Sequence, residues 1–146
     1  MKKITYKDFA RLLCDQFPGE DTPEQHLAVV CPSCGTVQSE TSFTRAEVDE
    51  ETIYRVLGFS CIGRYTDAIE AQVGEKTGRG CSYTLGGLFK LHTLVVVKED
   101  GEERPSFEPA APAQAQELRL LHQRDPDAIT IRSRRSPDGR FFFSKA

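Results

Sequence analysis

Residues 28–38 read Ala28-Val29-Val30-Cys31-Pro32-Ser33-Cys34-Gly35-Thr36-Val37-Gln38, and this stretch decides the fold. Two thiols separated by two residues can face one tetrahedral ion, and the glycine behind them permits a tight turn. Val29 and Val30 favour a strand running into the turn, and residues 36–38 can form the strand that leaves it. Strand, knuckle, strand is a hairpin that carries both sulfurs on one side. A redox pair and two ordinary core cysteines are the other readings of this spacing.

Closed tetrahedral zinc needs two further ligands. The chain has five cysteines. Cys61 and Cys81 complete an all-thiolate set with Cys31 and Cys34, so one structural Zn2+ per chain is expected. His92 is the alternative ligand, able to replace Cys61 or Cys81, and His26 could do so less easily. Cys14 lies among Phe9, Leu12, Leu13 and Phe17, which recur at helical spacing, and it is expected to be a buried small hydrophobe. An odd number of cysteines argues against a purely disulfide framework.

No catalytic set accompanies the knuckle. There is no His-Glu-x-x-His run, and His26 is followed by Leu27 and Ala28, so the His-x-Glu of zinc deaminases is missing. Gly78-Arg79-Gly80 has neither dinucleotide-binding nor P-loop spacing and reads as loop. A non-enzymatic protein is expected.

Outward from the knuckle, the pattern predicts a helix over 6–17, stopped by Pro18 and Gly19. Thr22 is the expected cap of a short element that begins at Pro23. Thr44 with Glu47 has capping-box spacing, which predicts a helix from 45 to 57 ended by Gly58. Asp49, Glu50 and Glu51 fall near its start and read as a solvated turn. A helical stretch over 66–73 precedes the glycine-rich loop at 74–80. Leu94-Val95-Val96-Val97 reads as a strand, Asp100-Gly101 as a turn, and 106–108 as its antiparallel return.

Pro105, Pro109 and Pro112 mark a connector. A helix over 113–122 follows, with Ala115, Leu118 and Leu121 toward the body. Ile129 and Ile131 alternate with polar residues, and Asp138-Gly139 is a hairpin turn leading into Phe141-Phe142-Phe143.

The 146 residues carry 19 Lys/Arg and 22 Asp/Glu, a formal net charge of −3. That excludes a wholly basic nucleic-acid protein and an extreme acidic mimic of DNA. The charge is uneven: residues 116–146 hold seven Lys/Arg against four Asp/Glu. Arg132, Arg134, Arg135, Arg140 and Lys145 are therefore candidate contacts to nucleic acid or protein. The plain reading of the same residues is a solvated basic hairpin. No apolar run approaches the roughly 20 residues of a membrane span, and none follows Met1 as in a secretory signal. A cytoplasmic protein without membrane contact is expected.

Two further runs, Gly58-Phe59-Ser60-Cys61-Ile62-Gly63-Arg64 and Gly80-Cys81-Ser82-Tyr83-Thr84-Leu85-Gly86-Gly87-Leu88, together with Cys31-Pro32-Ser33-Cys34-Gly35, resemble small uncharacterised proteins of bacterial prophages. The knuckle itself resembles those of zinc ribbons. The separation of Cys61 from Cys81 departs from the paired-knuckle pattern of that group. The prophage resemblance implies a mobile-element setting and supplies no catalytic residue.

The expectation is thus one compact α+β domain over 1–146. Helices flank a small antiparallel sheet, the loop region is zinc-stabilised, and a helix and basic hairpin begin near 113. Its expected role is an accessory protein that binds a host or phage protein. The alternative is a nucleic-acid-binding accessory protein using the basic C-terminal hairpin.

Overall fold

In the computed structural model, residues 1–19, 24–66 and 72–135 are described in full, and 141–143 by backbone alone. The architecture is α+β, with helices packed around three small sheets of three strands each among the described residues.

The knuckle hairpin forms as its sequence suggests. Strand β2 (Ala28–Val30) pairs antiparallel with β3 (Val37–Ser39), with Val30 opposite Val37. On its other edge β2 pairs with β6 (Glu108–Pro109). The two-residue period of β2 separates two cores. Val29 faces the cysteines with Phe43, Ile53, Ile62, Phe107 and Ile129. Ala28 and Val30 face the opposite side, with Phe17, Ala110, Ala115 and Leu118.

The apolar run forms β4 (Leu94–Val97), flanked by β5 (Glu103–Ser106) in antiparallel register, with Leu94 opposite Ser106. The third strand is one the sequence reading missed. Strand β1 (Lys2–Thr5) runs parallel to β4, with Lys2 opposite Leu94. Its charges are matched by distant acids, in ion pairs of Lys2 with Glu108 and Lys3 with Glu103. The expected proline connector is partly sheet: Pro105 lies in β5 and Pro109 in β6. Both are edge strands, where a missing N–H is tolerated.

Helix α1 (Tyr6–Cys14) starts on Thr5, whose Oγ1 accepts the Asp8 N–H at 3.1 Å. It ends three residues before the expected Phe17, because Gln16 leaves the helix to serve β2. The Gln16 Nε2 donates to Ala28 O and Ala110 O, and its Oε1 accepts the Ala28 N–H. Phe9, Leu13 and Phe17 form the inward stripe. Cys14 lies one residue, about 100°, off that stripe and is exposed, contrary to the expectation of a buried hydrophobe.

The helix expected from Thr44 is two helices. Thr44 lies inside α2 (Glu40–Arg45), and α3 (Glu50–Val56) starts on Asp49, whose carboxylate accepts the Thr52 N–H. The chain breaks at Glu47, in the left-handed region with φ +64. Ser39 and Asp49 win over Thr44 because the break lets Phe43 reach the core, where it is fully buried. The expected Thr22 cap lies outside the described residues, and a 3-10 turn follows it at Glu24–His26. Most of the helix expected over 66–73 also lies outside them.

Helix α4 (Pro112–Arg124) buries Ala115, Leu118 and His122 on one face. Arg45 closes its C-terminal end by donating to the carbonyls of His122, Asp125 and Ala128. Beyond it, β7 (Ala128–Thr130) turns at once into antiparallel β8 (Ser133–Arg135), so Ile131 and Arg132 occupy a turn rather than a continuing strand. The expected pairing with β9 (Phe141–Phe143) is present, with Arg135 opposite Phe141. The Asp138-Gly139 turn and the phenylalanine side chains lie outside the described residues.

Candidate metal centre

The knuckle turn is closed by two backbone bonds. Cys31 N–H donates to Thr36 O and Gly35 N–H to Cys31 O, both at 2.9 Å, with Gly35 at φ +79. The other two cysteines come from a second paired region. Ser60 and Thr84 form an isolated bridge, and Cys61 N–H donates to Tyr83 O. Gly63, two residues after Cys61, presses on the backbone of Cys81. A Cβ at that position would stand 2.2 Å from Cys81 N and 2.4 Å from its O. Only glycine permits this approach.

The four thiols meet in the main core. Cys31 Sγ lies 3.8 Å from Cys81 Sγ, Cys34 Sγ lies 3.7 Å from Cys61 Sγ, and all four sulfurs are within 4.8 Å of one another. A zinc–sulfur bond of about 2.3 Å puts tetrahedral sulfurs about 3.8 Å apart. The Cys31–Cys81 and Cys34–Cys61 separations fit that figure, and a disulfide of about 2.05 Å is far shorter. All four side chains are buried and none is disulfide-bonded. The arrangement is one that could hold a metal ion.

Electrostatics favours a cation here. Protons are shared among the sulfurs: the Cys31 thiol, as hydrogen-bond donor, lowers the Cys34 and Cys81 pKa values. The same network pushes Cys31 up, chiefly through Cys34, and Cys61 up, chiefly through Cys31. Burial opposes ionisation at every one of them. Four buried thiols cannot all ionise unless a positive ion replaces the shared protons.

A surrounding layer fixes the sulfurs. Cys81 N–H donates to Cys61 Sγ at 3.3 Å, and Tyr83 N–H to Cys81 Sγ at 3.4 Å. Thr36 Oγ1 accepts the Gly80 N–H at 2.7 Å and is also in hydrogen-bond contact with Cys34 Sγ at 3.0 Å. Gln38 is fully buried. Its Nε2 donates to Leu57 O at 2.8 Å and Ser60 O at 3.0 Å, while its Oε1 accepts the Ile62 N–H at 2.8 Å. It therefore clamps the backbone on both sides of Cys61. Sequence reading treated Thr36 and Gln38 only as strand residues and missed Gly63. Gly63 two residues after Cys61, and Gly80 next to Cys81, were the available signal.

Among the described residues this is the one cluster of metal-type side chains. His92 is not part of it. The candidate basic residues are divided. Arg134 is paired with Asp125 and Asp127, and Arg135 with Glu47. Arg132 turns to the loop at Thr77, donating to its carbonyl at 3.5 Å. Arg140 and Lys145 lie outside the described residues. No helix among the described residues is long and apolar enough to cross a membrane.

Residues 5–110 match the family model described as VVA0879-like, a stretch that holds all four clustered cysteines and stops before α4. No curated protein and no solved structure matches. The chain belongs to the VVA0879-like family.

Proposed function

We propose that this VVA0879-like protein is a non-enzymatic binding protein whose fold is held by one structural Zn2+ per chain. The observation that carries the reading is the set of Cys31, Cys34, Cys61 and Cys81, buried in the core with all four sulfurs within 4.8 Å of one another. Four protein sulfurs fill a tetrahedral ion and leave no position for water or substrate, the arrangement of structural rather than catalytic zinc. Zinc suits the site because an all-thiolate set selects soft or borderline ions. Persistent free thiols suit a reducing compartment, which supports a cytoplasmic location.

A mobile-element setting and a host or phage protein partner complete the proposal. They rest on the resemblance of the runs around Cys61 and Cys81. A nucleic-acid partner is the second reading, and the surface beside the cluster gives it a specific footing.

Metal content and native mass of untagged protein, purified without added metal or chelator, test the zinc reading. One zinc per chain is expected, with loss of metal and folding together in Cys31→Ser. A reduced, folded protein without metal would overturn it.

A further inference from the structure

The segment from Val73 to Cys81 connects the two halves of the cluster and is pinned to the knuckle. Gly74 N–H donates to Ser33 Oγ and Gly78 N–H to Cys34 O, both at 2.9 Å. Positive charge gathers along it. Lys76, Thr77, Arg79 and Arg132, with Glu75, line an open depression of about 340 Å3. Arg132 lies across the backbone there, its Cδ 3.3 Å from the point where a Gly78 Cβ would stand. The Lys76 amine is held on Pro32 O. Among the described residues Lys76, Arg79 and Arg132 have no carboxylate in ion-pair range, in contrast to Arg134 and Arg135.

The same segment borders a second depression, of about 250 Å3, lined by Val73, Arg64, Tyr83, Leu88 and Phe89. Arg64 is anchored there on Ser82 O at 2.8 Å. Leu88 is 94% exposed and Phe89 57% exposed. Cations on one side of the 73–81 segment, with no ion pair among the described residues, and exposed apolar and aromatic side chains in the depression at its ends match a ligand that is anionic along one edge and flat along the other.

We propose that these two depressions together bind single-stranded nucleic acid. Phosphates sit at Lys76, Arg79 and Arg132, and an unstacked base lies against Phe89 beside Arg64. A duplex hides its base faces and leaves the ring without a partner, whereas every unpaired base can stack. This inference rests on the second reading, a nucleic-acid partner, and moves its surface from the C-terminal hairpin to the cysteine cluster. A competing role for the cations is to offset the charge of −2 that four thiolates leave around a divalent ion.

The test is fluorescence anisotropy of the metal-loaded full chain with a labelled oligothymidylate of about 15 nucleotides, from about 50 to 200 mM salt. Binding is expected to weaken with salt. The Arg79→Ala/Arg132→Gln double variant should flatten the log–log salt slope by about 1.4, at about 0.7 per lost single-strand phosphate contact. Phe89→Ala should weaken binding about tenfold with the slope unchanged. Arg134→Ala should change neither. Three results would each overturn the proposal. One is no binding by folded, metal-loaded protein. Another is equal affinity for a duplex of the same length. The third is a slope that responds to Arg134→Ala and not to the double variant. Metal content measured on the same samples separates the two readings. Metal-loaded protein that ignores the oligonucleotide refutes only this inference, and loss of metal from the double variant without wild-type binding assigns the cations to the metal centre.

Discussion

Replacing Gln38 by leucine removes the clamp on Cys61 while nearly preserving volume. Three hydrogen bonds disappear together, to Leu57 O, Ser60 O and Ile62 N–H, at a side chain with no solvent exposure. Water cannot replace them without entering the core. Each buried backbone group left unpaired costs about 1–3 kcal/mol, and the added apolar contact returns part of that. A net loss of about 3–6 kcal/mol follows, against a total stability of about 5–15 kcal/mol for an ordinary domain. At about 3 °C per kcal/mol for a chain of this size, the melting temperature should fall by about 10–20 °C. Metal affinity should fall about 10- to 100-fold, as for other groups that orient ligands from behind.

Thermal unfolding of the metal-loaded protein, followed by far-UV circular dichroism, reads the first quantity. Competition with a chromophoric chelator reads the second. Gln38→Glu sharpens the experiment. It keeps an acceptor for the Ile62 N–H but turns a carboxylate oxygen toward two carbonyl oxygens, so at neutral pH it should be no better than the leucine variant. If both variants melt within a few degrees of the parent and hold metal equally well, Gln38 does not position Cys61 and the reasoning fails.

Gly63→Ala should abolish metal retention, because its Cβ would meet the Cys81 backbone at 2.2 Å, and one metal per folded chain in that variant would contradict the packing described. Thr36→Val removes the acceptor for the Gly80 N–H and a hydrogen-bond partner of Cys34 Sγ, so it should cost about 1–3 kcal/mol and speed metal release to a chelator, whereas Thr36→Ser should behave like the parent. Burial holds the His122 pKa at about 4, below its ordinary 6.5, so the unfolded chain takes up the proton first. Its contribution is therefore intact above pH 6.5, declines as pH falls toward 4 and levels off below. The difference in urea stability between the parent and His122→Gln should fall by about 2 kcal/mol between pH 7 and pH 5, and a pH-independent difference would refute the assignment.

The knuckle was legible because its signals are local: two β-branched residues, the cysteine spacing, and a glycine that takes positive φ. The run at 94–97 was legible for the same reason. Strand β1 was not, since Lys2-Lys3-Ile4-Thr5 has one apolar residue and its partners, β4, Glu103 and Glu108, lie about ninety or more positions away. The false helix start at Thr44 shows the limit of a capping rule. Thr44 with Glu47 satisfies the spacing as well as any pair, and only the burial of Phe43 decides against it. Charge was misleading in a similar way. Residues 116–146 carry an excess of cations, yet Arg135 is met by Glu47 from far upstream. The cations that line the two depressions beside the cluster come from three separate stretches, at 64, 76–79 and 132, and no window of sequence unites them.

A metal held by the cluster would account for how such small sheets persist. A sheet of three strands of two to four residues has little independent stability, and three of them side by side do not add up to one continuous core. A metal ion bound by Cys31, Cys34, Cys61 and Cys81 would join the knuckle hairpin to the Ser60–Thr84 bridge and close the long loop between residues 61 and 81. Closing a loop of that length by a cross-link stabilises the fold mainly by restricting the unfolded chain. The same closure shapes the surface. Gly74, Gly78 and Gly80 hang the segment carrying Lys76 and Arg79 on Ser33, Cys34 and Thr36. The cations are thus positioned by the groups that position the sulfurs, so metal occupancy and the shape of the binding face are expected to be one property of this chain.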